Sequence, residues 1–412
     1  MFSVNGFLTI LFLLLALSVI AAIIPFYLVP RVIRKASEWG VLDHPDERKA
    51  HIIPTPRLGG LSIMPSLWLG CSVALLLASV FSLRILAPEV PVFLNAVLGL
   101  LIGCTGIFLL GCLDDFKRLT AGQKLATEAA IVALTLNFLP LPSLILGIPV
   151  DPFLVSVLIF GWLLIIPNSV NLLDGIDGLT ASISSLFLAT CSVLAIFRGE
   201  MGWLLILVPA LASTLSFLKF NWRPARIFLG DSGSLLLGFA VAYLSLMFAM
   251  SPKGDSGHSW NIFISLLLTS VWLLDTLLAI TRRYWDKRPT LKVFFRRSRG
   301  KYLALQGEAF ANIVRPDRKH LHHKLVDIGF SSSQTVYIIC TIAAGSMLSA
   351  LGFSISGVSF WSLPWMSIAI IGAALSLLGL IGVGILYRRR VVANEVFVNV
   401  RPMQRPKVRR AA

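Results

Sequence analysis

Four polar residues recur at three-residue spacing in the run Asn168-Ser-Val-Asn171-Leu-Leu-Asp174-Gly-Ile-Asp177-Gly. On a helical turn, residues three apart share a face. Two amides and two carboxylates on one wall can hydrogen-bond a polar ligand or hold a cation. Gly175 and Gly178 permit a tight turn or the close approach of a ligand. Earlier in the chain stands Leu113-Asp114-Asp115-Phe116. Adjacent carboxylates repel each other, which costs stability unless a cation or a shared proton relieves them. Lys124 follows within reach of a phosphate held there. Later, Asn221 opens a run that ends Phe228-Leu-Gly-Asp231-Ser-Gly-Ser. A carboxylate beside the free N–H groups of a helix start suits a magnesium–phosphate complex. Asp231 could instead be an ordinary helix cap.

Three further groups carry candidate chemistry. The segment Asp43-His-Pro-Asp-Glu-Arg48-Lys-Ala-His51 leads into Thr55-Pro-Arg57-Leu-Gly-Gly. It mixes bases, an imidazole and a glycine turn, and it also reads as a simple basic loop. Asp275 lies inside an apolar stretch, just before Arg282 and Arg283. An acid there needs a partner, and both an arginine pair and a catalytic role fit. The run Asp317-Arg-Lys-His320-Leu-His322-His323-Lys324 holds three histidines in four residues. Imidazoles among Arg and Lys suit phosphate groups, with a titratable base near neutral pH. Transition-metal binding is a weaker reading, because no carboxylate or cysteine stands at metal-site spacing.

These residues must be positioned by apolar elements. The chain is 56% hydrophobic and 14% charged, where soluble domains carry about 25% charged residues. A membrane protein is expected. With about 20 apolar residues needed per crossing, eleven transmembrane helices are predicted, near 6–29, 59–80, 92–113, 124–139, 152–169, 178–197, 202–219, 233–250, 261–280, 333–354 and 364–387. The fold class is therefore an all-α integral membrane protein. The first stretch is too long for a signal-peptide core and reads as a retained helix. The five cysteines fall in apolar segments without metal-ligand spacing, so neither a disulfide nor structural zinc is expected.

All 36 Lys and Arg except Arg84, Arg198 and Lys253 fall on one side of this topology. The positive-inside rule then puts the N-terminus outside and the C-terminus inside. The candidate residues cluster on the inner loops, so a site facing the cytoplasm at the membrane surface is predicted. The net charge of +16 reads as a topology signal and as attraction for phosphates, rather than as nucleic-acid binding. Residues 1–387 form one polytopic catalytic domain in this reading. A long basic loop, 281–332, carries the histidines, and a basic tail, 388–412, lies against anionic lipid heads.

In this order, these motifs resemble those of the polyprenyl-phosphate N-acetylhexosamine-1-phosphate transferases, a superfamily that includes the phospho-MurNAc-pentapeptide transferases. The resemblance runs from Asp43–Gly60 to the Asp-Arg-x-His-x-His-His run. The His-Leu-His-His form and the Asp275–Arg283 region resemble the N-acetylhexosamine branch. One departure is the long segment between Arg283 and His320, with its basic run from Lys287 to Lys301. The resemblance implies a UDP-N-acetylhexosamine donor, an undecaprenyl phosphate acceptor and Mg2+, with Mn2+ as a substitute. It implies an early lipid-linked step of cell-envelope polysaccharide synthesis, such as lipopolysaccharide, in a bacterial inner membrane. It is also compatible with a homodimer.

The resemblance makes Asp231 the leading metal ligand, with Asp114 and Asp115 near the metal and the acceptor phosphate. Asp174 and Asp177 would line the nucleotide site, helped by Asn171, Asn221 and Lys124. Phe228 would stack on uracil, and His320, His322 and His323 would hold the diphosphate or sugar phosphate. Asn168, Asp43, Arg48 and His51 complete the expected substrate-binding set. A direct attack and a route through an aspartyl phosphate are both compatible with these residues. The alternatives are a pentapeptide transferase of the same superfamily and a secondary transporter. A transporter would place its acids near mid-membrane between internal repeats, and no repeat is evident.

Overall fold

The computed structural model describes residues 4–44, 53–81, 90–252, 258–287, 320–356 and scattered positions from 371 to 386. Among the described residues, continuous α-helices run in chain order: α1 (Val4–Glu38), α2 (Gly60–Phe81), α3 (Val90–Lys117), α4 (Ala121–Leu136), α5 (Pro152–Leu173) and α6 (Leu179–Arg198), then α7 (Leu204–Asn221), α8 (Gly230–Ala249), α9 (Ile262–Lys287), α10 (Leu321–Ile328) and α11 (Ser332–Ser356). Among the described residues, nine helices are long and apolar enough to cross a membrane, all except α4 and α10. The protein is thus an all-α integral membrane protein in its spanning part.

One feature differs from the predicted eleven spans, and another falls largely outside the described residues. The segment expected to cross at 124–139 is α4, only 16 residues long. Its polar residues gather mostly in its first half, and most of its surface is left exposed. The last predicted span, 364–387, is helical at its described positions but lies largely outside the described residues. Helix ends also shift. Asp114 and Asp115 sit on the last turn of α3, and Asn171 on α5, just past the predicted ends at 113 and 169.

Short strands were not anticipated. β1 (Leu42–Asp43) pairs antiparallel with β2 (Thr55–Pro56). At the opposite end of the bundle, β3 (Leu144–Ile145), β4 (Ile148–Pro149), β5 (Met250–Pro252) and β6 (His258–Trp260) form a sheet in the order β4-β3-β6-β5. Strands of two or three residues show no period that a sequence can reveal.

Helix α8 is the axis of the bundle. Its spanning window is buried throughout, against half or less of α2, α5 and α9. α2, α3, α5 and α9 all pack on it. A helix apolar all round belongs in such a place. Tyr243 Oη donates to Ala96 O at 2.7 Å, and Trp162 Nε1 donates to Ser245 Oγ at 3.1 Å, so the polar groups it buries are satisfied. At its C-terminal end, Arg198 donates to Phe248 O at 2.7 Å and Met250 O at 2.6 Å.

Its first turn is gripped from both sides. A β-carbon on Gly111 of α3 would collide with the Asp231 carbonyl, and one on Gly60 of α2 would lie 2.5 Å from the Ser232 carbonyl. Backbone cannot step aside as a side chain can. Gly60→Ala should therefore cost about 1–3 kcal/mol in overpacking, read as a lowered thermal midpoint of the purified protein. An unchanged midpoint would show that α2 can move off α8 freely.

Candidate active site

The site forms where α3, α4, α5 and α8 end together. Thr120 and Gln123 make a capping box at the start of α4, with Gln123 N donating to Thr120 Oγ1 at 3.3 Å and Thr120 N to Gln123 Oε1 at 3.1 Å. Asp114 Oδ1 accepts from Leu119 N at 2.7 Å and so closes the α3–α4 turn. These bonds turn the chain sharply and bring Lys124 back over the end of α3.

Lys124 is the centre of the cluster. Its Nζ lies 2.9 Å from Asp114 Oδ2 and 2.6 Å from Asp231 Oδ2. With its amide oxygen turned to Lys124 at 3.1 Å, Asn171 donates to Ser234 Oγ at 3.1 Å and Asp231 Oδ1 at 3.3 Å. That orientation satisfies every partner and follows from the network. Asp231, Asp114, Lys124 and Asn171, expected together from the sequence, are thus brought together.

Asp115 has a different task in this geometry. Its Oδ1 accepts from Asp231 N at 2.9 Å and its Oδ2 from Ser232 N at 3.0 Å. Both oxygens cap the N-terminus of α8, where a negative charge meets the positive end of the helix dipole. It therefore holds Asp231 in place through the backbone, where the sequence suggested a group facing metal and acceptor.

Magnesium usually takes one or two carboxylates and completes its shell with water and substrate phosphates. Asp114 Oδ2 and Asp231 Oδ2 already converge on one cationic nitrogen, so this donor set fits such an ion. Among the described residues, no group of three or more His, Cys, Asp or Glu could form an all-protein cage.

The expected wall divides into facing and tethering residues. Asp174 caps the C-terminal end of α5. Burial pushes its carboxyl up to about 7, and the nearby Asp231 and Asp115 charges add to the push, against the pull of Arg57. Asp177 Oδ2 accepts from Ala225 N at 3.1 Å. Buried Asn221 accepts from Gly178 N at 3.1 Å and donates to Ile227 O at 2.9 Å. Its two polar atoms are spent on backbone, so it ties the α5–α6 and α7–α8 loops together instead of lining the site. Asn168 sits one turn deeper on α5 than Asn171, donating to Glu128 Oε2 at 2.6 Å and Leu164 O at 2.9 Å.

Phe228 is half-buried, and its backbone pairs with Pro56 O and Gly59 N, at 2.8 and 3.0 Å. That zips the first loop to the start of α8. Asp43 lies 3.6 Å from the guanidinium of Arg57. Arg48 and His51 lie outside the described residues.

The histidines cap the cluster from α10. His320 Nδ1 lies 2.7 Å from Asp275 Oδ2, and Leu321 N donates to Asp275 Oδ1 at 2.7 Å. Asp275, open to an arginine or a catalytic role by sequence, orients a histidine here and caps α10. His320 and His322 stack at 6.0 Å, and His323 lies 4.1 Å from His322. His322 is 1% exposed, and neither ring nitrogen has a hydrogen-bond partner. Its Nε2 faces Gly175, where a β-carbon would come within 2.6 Å. The histidine run and the Asn/Asp run therefore meet.

Sequence reasoning passed over two residues. Arg57 was read only as part of a loop, yet its charge acts on both Asp115 and Asp174. Glu128 was not singled out. An acid one turn after Lys124 in an apolar helix was the signal for it.

A sequence model described as glycosyl transferase family 4 matches residues 97–249, the stretch from α3 through α8. A probable undecaprenyl-phosphate N-acetylglucosaminyl 1-phosphate transferase of Bacillus subtilis is 31% identical over 356 residues, 84% of each chain. The chain belongs to this family of sugar-phosphate transferases. Another relative is a decaprenyl-phosphate N-acetylglucosaminephosphotransferase of Mycobacterium tuberculosis, 32% identical over 77% of each chain. A phospho-N-acetylmuramoyl-pentapeptide-transferase of Staphylococcus saprophyticus is 28% identical over 56% of this chain and 75% of its own. Within the family model fall Asp114, Lys124, Asn171, Asp174 and Asp231 of this transferase; its histidines and first loop lie outside.

Burial pushes the His322 imidazole down from 6.5 to about 3, and the neighbouring His323 adds to this. Below pH 6.5 the unfolded chain binds a proton there that the folded protein refuses. Stability from this group is thus full above 6.5 and lost as pH falls toward 3. The stability of His322→Asn should fall less steeply with acid over that window, by about one proton's slope, in thermal melts against pH. Parallel slopes would show that His322 is protonated in the fold.

Proposed function

We propose that this protein transfers N-acetylglucosamine-1-phosphate from UDP-N-acetylglucosamine to undecaprenyl phosphate and releases UMP. The convergence of Asp114, Asp231 and Asn171 on Lys124 carries this reading. It is the cation-and-carboxylate centre that phosphoryl transfer between two anions needs. The choice of sugar rests on extent of match. Relatives named for N-acetylglucosamine match 77–84% of the chain, against 54–56% for those named for the pentapeptide.

An acceptor phosphate oxygen attacks the sugar-bearing phosphorus of the donor. The bridging P–O bond breaks, and its electron pair leaves with UMP. The acceptor's second pKa is near 6, so at neutral pH it is largely dianionic and needs little help from a base. Asp231 and Asp114 would hold Mg2+, which when bound would supply charge neutralisation for the phosphates. Lys124 would then hold donor phosphate, and His323 with the other histidines would bind the diphosphate from the α10 side. His320, its ring set by Asp275, presents Nε2 in a fixed direction. Asn171 keeps Asp231 and Lys124 in register, and positioning supplies the rest of the rate.

The centre lies at the helix ends that the basic loops join, so it faces the cytoplasm of a bacterial cell, with the N-terminus outside. Residues 1–387 act as one catalytic domain. The basic loop 281–332 helps form the sugar end, and the tail 388–412 binds anionic lipid; residues 288–319 and the tail lie outside the described residues.

Purified protein in detergent, given undecaprenyl phosphate, Mg2+ and single UDP-sugars, tests this. UMP and lipid-linked product should form with UDP-N-acetylglucosamine and fall at least about 100-fold in Asp231→Asn. Full activity in that variant would sink the metal assignment. No UMP from any donor would sink the reaction, leaving transport as the reading to pursue.

A further inference from the structure

Glu128 is the one charged residue among the three buried on α4, with Val132 and Thr135. It is 1% exposed. One oxygen accepts from Asn168 Nδ2 at 2.6 Å, and the other has no partner. A buried carboxylate with a bare oxygen is costly to keep among apolar helices. The surrounding charges are Lys124, one turn back on the same face, and Asp114 from α3. From α5 it meets only the uncharged Asn168.

The position of this bond suggests its use. Asn168 stands three residues before Asn171 on α5, as Glu128 stands four after Lys124 on α4. The Glu128–Asn168 bond therefore joins α4 to α5 one turn below the point where Lys124 and Asn171 meet Asp231. Helix α4 buries little else, and among the described residues the only other polar link to α5 is the Lys124–Asn171 contact that this bond would support. A shift of an ångström would break the 2.6 Å contact of Lys124 with Asp231.

We infer that Glu128 is a positioning residue for the transfer, locking α4 to α5 through Asn168 so that Lys124 stays aimed at the reacting phosphates. This rests on the role of Lys124 given above. Hydrogen bonds between membrane helices contribute little to stability on average, so the bond can be removed without unfolding the protein. The hydrogen bond, rather than the charge, does the locking, and a glutamine keeps the acceptor.

The full-length Glu128→Ala, Glu128→Gln, Asn168→Ala and Glu128→Ala/Asn168→Ala variants test this with UDP-N-acetylglucosamine. Glu128→Ala and Asn168→Ala should each lower kcat about tenfold, with the donor KM changed less than about threefold. The glutamine variant should stay within about threefold of the parent, and the double variant should be no worse than either single one. A merely structural bond would lower the thermal midpoint and leave kcat per folded enzyme intact, which would overturn the inference. So would a glutamine variant as poor as the alanine one, or effects that multiply in the double variant. Hydrogen exchange along α4 reads the lock without substrate, and should quicken in both alanine variants but not in the glutamine one. If the parent makes no product, the proposed reaction fails on its own. Exchange on α4 then decides for Glu128, with an unchanged rate overturning the lock.

Discussion

The N-terminus of α8 imposes the constraint on which the rest of the molecule depends. A fully buried helix brings four unpaired N–H groups and the positive end of its dipole into an apolar bundle. Asp115 answers this with both carboxylate oxygens, and Arg198 answers the carbonyls at the far end. Helix α8 is thereby the stiff axis around which the others pack. Asp231 is its second residue, so the carboxylate that faces Lys124 inherits the rigidity of the best-packed element in the protein.

A consequence is an excess of negative charge held at close quarters. Asp114, Asp115, Asp174 and Asp231 crowd one end of the bundle, against Lys124 and Arg57. In water such groups would separate. Here the helix ends hold them, and the repulsion is relieved by cations brought to them: Lys124 from α4 and Arg57 from the first loop. In the proposed reaction a site left short of positive charge would attract a divalent ion, and such an ion would in turn attract phosphate. The histidines from α10 add ring nitrogens beside the α5–α6 loop. Burial keeps His322 uncharged, so that side does not repel an incoming cation.

Much of this was legible in the residues. The apolar stretches announced the helices, and three-residue spacing placed Asn171 and Asp174 on a common wall. The joining of the histidine run to the Asn/Asp run through His322 and Gly175 was not readable. They lie far apart in sequence, and no local period encodes a contact between α10 and the α5–α6 loop. Nor did residue type separate Asp114 from Asp115. Both are acids on the last turn of α3, and only the approach of α8 decides that one caps a helix while the other meets Lys124. Asn221 and Asp177 carried the same ambiguity, since a polar side chain in a loop can serve a ligand or another loop. The four-stranded sheet was hidden because β3 and β6 are parallel partners separated by the whole of α5 to α8.

The depth of the centre separates the two readings that a basic, apolar chain allowed. A transporter must hold its ligand where both sides can open to it, near the middle of the bundle. Here α8 fills that middle with close-packed apolar side chains, and its polar contacts there, Tyr243 and Ser245, are already paired within the protein. The carboxylates that meet Lys124 stop at one end, within the first turn of α8 and the last turn of α3. In the proposed transfer a lipid phosphate would meet this end of the bundle, and a soluble donor would reach it without crossing the apolar middle. Placing the carboxylates one turn deeper would bury them from the donor, and one turn shallower would free them from the helix ends that hold them. The geometry of a helix terminus at a membrane surface therefore sets where such a reaction can be run.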